Sequence, residues 1–205
     1  MNCLGALLGS ATSVACLWWS RAYLVAILGV SRVPRSLTLV LLLVGTITGA
    51  MVGANRVSSP VALVVVTYLL VVQVPIDVLD QRLARTPTLL ALLALFVSRL
   101  IEVVTSHGLR DLAAQLAMMS LIIMVFGMMH WLSPRSLGWG DVLLVAPLAL
   151  GVSSMRLSSV PVWMLVASSS AAVHGLAERW RVGNRHIPFG PHLIGAAWLV
   201  LVFSL

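Results

Sequence analysis

Six carboxylates, Asp77, Asp80, Glu102, Asp111, Asp141 and Glu178, stand in a chain of 205 residues that is 60% apolar and only 9% charged. A carboxylate held at membrane depth is costly, so each is a functional candidate until a neighbour explains it. Asp111 and Glu178 lie beside Arg110 and Arg179 in stretches read as loops, which predicts solvated faces. Glu102 follows Arg99 by one helical turn, a spacing that permits a neutralising pair. Asp77, Asp80 and Asp141 differ, because they sit where apolar runs meet polar connections. Asp141 closes Gly138-Trp139-Gly140-Asp141 and precedes an apolar run from Val142 to Pro147. Glycines there remove Cβ bulk and let another segment approach the carboxylate. An aspartate in that place is equally suited to cap the following helix. Asp77 and Asp80 are three residues apart and share a helical face, and their chemistry alone does not choose between them.

Two carboxylates brought together at a membrane edge would form an acid pair. Like charges in a low-dielectric site cannot both ionise cheaply, so one keeps its proton. The ionised member can act as general base on a water while the protonated member polarises a carbonyl. Such a pair titrates as a unit. Its chemistry is peptide hydrolysis without a metal or a covalent intermediate.

The elements that must position these acids are membrane helices. Mean hydropathy is +1.05, and apolar stretches recur, each near the roughly 20 residues that cross hydrocarbon as a helix. Strand-like alternation is not visible, so the expected fold is all-α and polytopic, with seven to eight transmembrane helices. Candidate spans fall at 4–20 (or on to 30), 37–54, 60–76, 88–105, 112–132, a short one at 141–152, 160–177 and 189–205. The chain reads as a single membrane domain over 1–205, with N-terminal helices in 1–59 and a core in 60–205. Cys3 and Cys16 match no metal or redox spacing and read as packing residues. The first apolar stretch, lacking a basic region before it, reads as a retained span.

All thirteen basic residues are arginines lying singly or in pairs between apolar runs. That is the pattern of topogenic loops and not of a basic face, so no nucleic-acid partner is expected. With the loop at 77–87 in the cytoplasm, Arg32, Arg35, Arg82, Arg85, Arg135, Arg179, Arg181 and Arg185 collect inside. Arg56, Arg110 and Arg156 stay outside, and both termini fall outside. The segments 77–88, 133–141 and 178–188 then share the cytoplasmic edge.

Three landmarks, in order, resemble the type IV prepilin leader peptidases, the GxGD-type membrane aspartic endopeptidases. The family pattern of an Asp, six residues and a Pro, commonly with Arg at the second and fifth positions after the Asp, is matched by Asp80, Arg82, Arg85 and Pro87. Asp77 does not match it. The glycine-flanked aspartate is matched by Gly138, Gly140 and Asp141. The Pro-Phe-Gly-Pro start of the last helix is matched by Pro188, Phe189, Gly190 and Pro191. Together the landmarks cover about residues 60–205. The resemblance departs at Thr86 and Thr88, which flank Pro87 where the family usually has Ile and Asn, and at Leu143, where it often has Lys.

The resemblance implies an aspartic endopeptidase with Asp80 and Asp141 as catalytic acids. Its substrates would be type IV prepilins or pseudopilin-like proteins, cut at the cytoplasmic face of the bacterial inner membrane. Implied partners are the lipid bilayer and proteins of a pilus or secretion assembly. No cofactor is implied, and without the family's CxxC region no N-methyltransferase activity is expected. Arg82, Arg85 and Arg135 read first as positive-inside anchors, and Gly190 and Pro191 as shapers of the last helix. His107, His130, His174, His186 and His192 show no helical ligand spacing, so no metal site is expected. Met118, Met119, Met124, Met128 and Met129 read as lipid-facing or packing surface. Other readings are an inactive homologue or scaffold in such an assembly, and a small proton-coupled transporter using Asp80 and Asp141 as a relay.

Overall fold

The computed structural model describes residues 35–53, 58–80, 83–106, 108–133, 137–182 and 188–203, with the side chains of 35–37, 79, 80, 106, 179, 181 and 182 outside that description. The candidate span at 4–20, Cys3, Cys16, Arg82, Arg135, His107 and His186 also lie outside it. Among the described residues the fold is all-helical: α1 Arg35–Gly53, α2 Pro60–Asp80, α3 Arg85–Ser106, α4 Leu109–Leu132, α5 Trp139–Ser153, α6 Ser159–Val182 and α7 Gly190–Phe203. Each helix overlies one of the apolar stretches read from the sequence, but among the described residues the expected seven to eight spans are not reached. Among the described residues, four stretches, Pro60–Val78, Arg85–Thr105, Leu109–Leu132 and Ser159–Glu178, are long and apolar enough to cross a membrane.

For α5 and α7 the reason is length. α5 has 15 residues and α7 has 14, so they extend about 22 and 21 Å against a hydrocarbon core of roughly 30 Å. Hydropathy alone cannot separate a lipid-crossing helix from one buried inside protein. Both short helices are the buried kind: Leu144, Leu148, Leu150, Leu193, Ile194 and Leu201 are all sealed in the core. The long helices α3, α4 and α6 instead turn apolar side chains outward, among them Leu93, Ile101, Met124, Leu165 and Val173. In water such a surface would drive aggregation, and in lipid it is solvated. The architecture is that of a helical membrane protein.

α5 lies at the centre, packed on α2, α3, α4, α6 and α7. A Cβ added at Gly151 would meet Leu95 and Val66 at 3.6 and 3.7 Å, ordinary contact distances. Within the core, polar side chains satisfy one another across helices. Thr67 Oγ1 donates to the Leu63 carbonyl at 2.8 Å, Thr48 Oγ1 meets Thr67 Oγ1 at 2.8 Å, and Trp198 Nε1 donates to Thr48 Oγ1 at 3.0 Å. That chain ties α1 and α7 to α2. Trp163 is fully buried and donates to the Leu193 carbonyl at 2.9 Å, tying α6 to α7.

Short connections make successive helices alternate in direction, so the bundle has two distinct ends. The ends of α2 and α6 and the starts of α3, α5 and α7 meet at one of them. At the other, Arg99 pairs with Glu102, as the spacing allowed, and donates to Ser59 Oγ at 2.9 Å, while Ser59 meets Ser154 at 2.8 Å. Asp111 and Glu178 are both helical and not in loops: Asp111 is in the first turn of α4, and Glu178 is in the last part of α6. The helical patterns continue past the arginines that suggested loop boundaries.

Candidate functional site

α2 carries no charge from Pro60 until its last turn, where Asp77 is 5% exposed. Burial of an acid there follows from the register of the helix. Gln73 and Asp77 are four residues apart and occupy the same inward face, and both are buried. Asp77 lies within range of direct electrostatic repulsion from Asp141 and faces the backbone amide of Gly190. Its Oδ2 has no hydrogen-bond partner within good geometry. A buried carboxylate oxygen without a partner calls for explanation, because most buried polar atoms are paired.

Asp141 reaches this place through the glycine motif. α5 begins at Trp139 with Gly138 as its N-cap. Asp141 is therefore three residues inside the helix and not at the cap itself; its Oδ2 accepts from the Gly138 amide at 3.2 Å. This reaching back satisfies one of the amides that a helix start leaves unpaired. The carboxylate stays partly exposed.

Glycine explains how the segments come so close. A Cβ at Gly190 would sit 2.6 Å from Asp77 Oδ2 and 3.3 Å from Leu83 Cδ2. A Cβ at Gly140 would sit 3.0 Å from Leu83 Cβ. Leu83 therefore packs against both glycines, and Gly190 lies directly against Asp77. The three landmarks, distant in sequence, converge on one cluster. Phe189 extends it to α4 through a ring contact with Phe126 at 6.3 Å.

The loop bearing Leu83 is held by Gln73. This fully buried side chain donates from Nε2 to the Ala84 carbonyl at 2.6 Å and to Thr88 Oγ1 at 2.7 Å, and its Oε1 accepts from the Ala84 amide at 3.0 Å. Thr88 Oγ1 also donates to the Ala84 carbonyl at 3.1 Å. Thr88, one of the departures from the family pattern, is thus part of the clamp. Pro87 is buried in the first turn of α3, where its missing N–H costs nothing. Sequence reading passed over Gln73, although an amide inside an otherwise apolar run was a signal. Gln73→Leu strands the Ala84 amide and is expected to cost about 1–3 kcal/mol; thermal unfolding of the purified protein in detergent would show it as a lowered midpoint.

Of the expected site residues, Asp141, Gly138, Gly140, Pro188, Gly190 and Pro191 fall at this end of the bundle with Pro87 and an exposed Arg85. The backbone of Asp80 ends α2, one turn beyond Asp77; its side chain, like all of Arg82, is outside the described residues. The histidines supply a connection that spacing could not reveal. His174 Nδ1 and His192 Nε2 are 2.9 Å apart, His192 Nδ1 and Ser170 Oγ are 3.1 Å apart, and Ser170 donates to the Ala167 carbonyl at 3.0 Å. Since the Ser170 hydroxyl proton is committed to Ala167, His192 donates to Ser170 and accepts from His174. The chain fastens the start of α7, just after Gly190, to α6. His130 similarly meets the Leu137 carbonyl at 2.7 Å and makes a tilted ring contact with Trp139 at 5.4 Å, steadying the approach to Gly138.

Compared with known proteins, the chain matches no family model, no curated protein and no solved structure.

Proposed function

We propose that this chain is a membrane aspartic endopeptidase that resembles the prepilin leader peptidases and cleaves leader peptides from prepilin-like or pseudopilin-like substrates. The observation that carries the reading is the convergence of the acid-bearing segments on Leu83, which packs against Gly140, the residue before Asp141, and against Gly190, which lies directly against the buried carboxylate of Asp77. Asp141 is one catalytic acid, and its partner comes from the last turn of α2. Proximity nominates Asp77 for that role, while the motif spacing nominates Asp80, one turn further on.

In the proposed reaction the ionised acid takes a proton from water as the water oxygen adds to the scissile carbonyl. The protonated acid hydrogen-bonds the carbonyl oxygen as negative charge develops on it. Collapse of the tetrahedral intermediate breaks the C–N bond, and a proton passes to the leaving amine. Neither acid changes its covalent state. The positive-inside bias of the arginines supports an orientation with this end of the bundle at the cytoplasmic face of a bacterial inner membrane. A substrate whose basic leader stays in the cytoplasm and whose apolar helix enters the bilayer would offer its cleavage site at that depth.

Co-expression with a pilin-like substrate tests the reading. The wild-type chain should shorten the substrate, and Asp77→Asn, Asp80→Asn and Asp141→Asn should be compared with it. Loss with Asp141→Asn and with one α2 variant assigns the pair. Processing that persists with Asp141→Asn, or with both α2 variants, ends the proposal.

A further inference from the structure

The opposite end of the bundle holds a cavity of about 340 Å³ between the ends of α3 and α5, the start of α4 and the turn before α6. Its volume is within the range of small-ligand sites, roughly 300–1,000 Å³. Arg99, Glu102, Asp111, Gln115, Ser153 and Arg156 are among its lining residues, an unusual polar concentration in so apolar a chain. The peptidase proposal uses none of them.

Two of these residues carry unmet hydrogen-bonding capacity. Arg99, 9% exposed, is bonded to Glu102 and Ser59, yet its Nε donor has no partner. Gln115, buried in α4, has an Oε1 acceptor without a donor. α4 presents its start to the cavity as well, with Gly108 at the N-cap and the Asp111 carboxylate in the first turn. The wall therefore offers donors to an anion through Arg99 and Arg156. It also offers acceptors to an N–H group through Gln115 and Asp111. Two arginines face two acids, so the lining carries no net charge. A simple anion or a simple cation would answer only half of it.

We propose that this cavity binds a zwitterion that joins a phosphate to a primary ammonium, the chemistry of phosphoethanolamine. The phosphate sits toward Arg99 and Arg156, and the ammonium toward Gln115 and Asp111. The site is at the far membrane edge from the acid pair, where a phospholipid headgroup carries that chemistry, and free phosphoethanolamine is the soluble source. The inference stands apart from the peptidase reading and survives its failure.

The test uses the full chain purified in detergent, with binding followed by native mass spectrometry and by the shift in unfolding temperature. The probes are phosphatidylethanolamine, phosphatidylglycerol, phosphatidylcholine and free phosphoethanolamine. Phosphatidylethanolamine is expected to bind at least about tenfold more tightly than phosphatidylglycerol, which lacks the ammonium, or phosphatidylcholine, whose quaternary nitrogen has no N–H. Arg156→Gln and Asp111→Asn, both at exposed positions, should each weaken it by about tenfold while leaving the ligand-free unfolding temperature unchanged. Gln115→Leu should abolish the preference over phosphatidylcholine. Binding of free phosphoethanolamine but not of the lipid would support the site with a soluble ligand. Equal binding of the three lipids with no binding of free phosphoethanolamine would overturn the proposal, as would wild-type affinity in both Arg156→Gln and Asp111→Asn.

Discussion

Replacing Asp141 by Asn should lower the rate of substrate processing by roughly 10²–10⁴-fold, the usual contribution of a positioned acid or base. Asn keeps the size of the side chain and, through its amide oxygen, the contact with the Gly138 amide at 3.2 Å. The start of α5 should therefore remain capped and the bundle intact. What is lost is the ability to take or give a proton. A merely structural Asp141 would show the opposite pattern, a lowered unfolding midpoint with processing per folded molecule preserved. Measuring both quantities on the same preparation separates the two.

Gly190→Ala should be the second large effect. The added methyl would lie 2.6 Å from Asp77 Oδ2 and 3.3 Å from Leu83 Cδ2, the first closer than real Cβ contacts come. The carboxylate has to move, and the space it could move into is limited by burial. Displacement of a reacting group by about 1 Å can cost on the order of 10²-fold in rate. The expected result is a folded protein with processing reduced to that extent. Gly140→Ala presses on Leu83 Cβ at 3.0 Å and not on an acid, so its effect should be smaller. If Gly190→Ala processes substrate at the wild-type rate, Asp77 is not part of the reacting pair.

The acid end of the bundle was largely legible in the sequence, and the reasons are local. Changes from apolar run to polar connection located the helix ends to within a turn or so, and the expected span at 88–105 corresponds to Arg85–Ser106 in the structure. Asp141 and Gly190 announced themselves through glycines, because a residue without Cβ points to a close approach. What approaches could not be read. The partner of Gly190 is Asp77, and that contact depends on how α2 and α7 pack, which no spacing within either helix encodes. The identity of the α2 acid stayed open for a similar reason: residues three apart share a face, and only packing decides which one turns inward. Gln73 carried a signal that was missed, since a buried amide must find partners and the connection that follows its own helix supplies them. The short helices α5 and α7 were over-read because hydropathy measures the wish to leave water and not the medium entered.

Processing assayed in reconstituted membranes with Asp141→Asn, with each α2 acid variant and with the corresponding double variants tests the acid pair most directly. Two acids acting as one unit lose their function together. The double variant that removes both members should therefore be no slower than the worse of its two single variants, and one α2 variant alone should match Asp141→Asn. Independent losses that multiply in every double variant, or full activity in Asp141→Asn, would contradict the account.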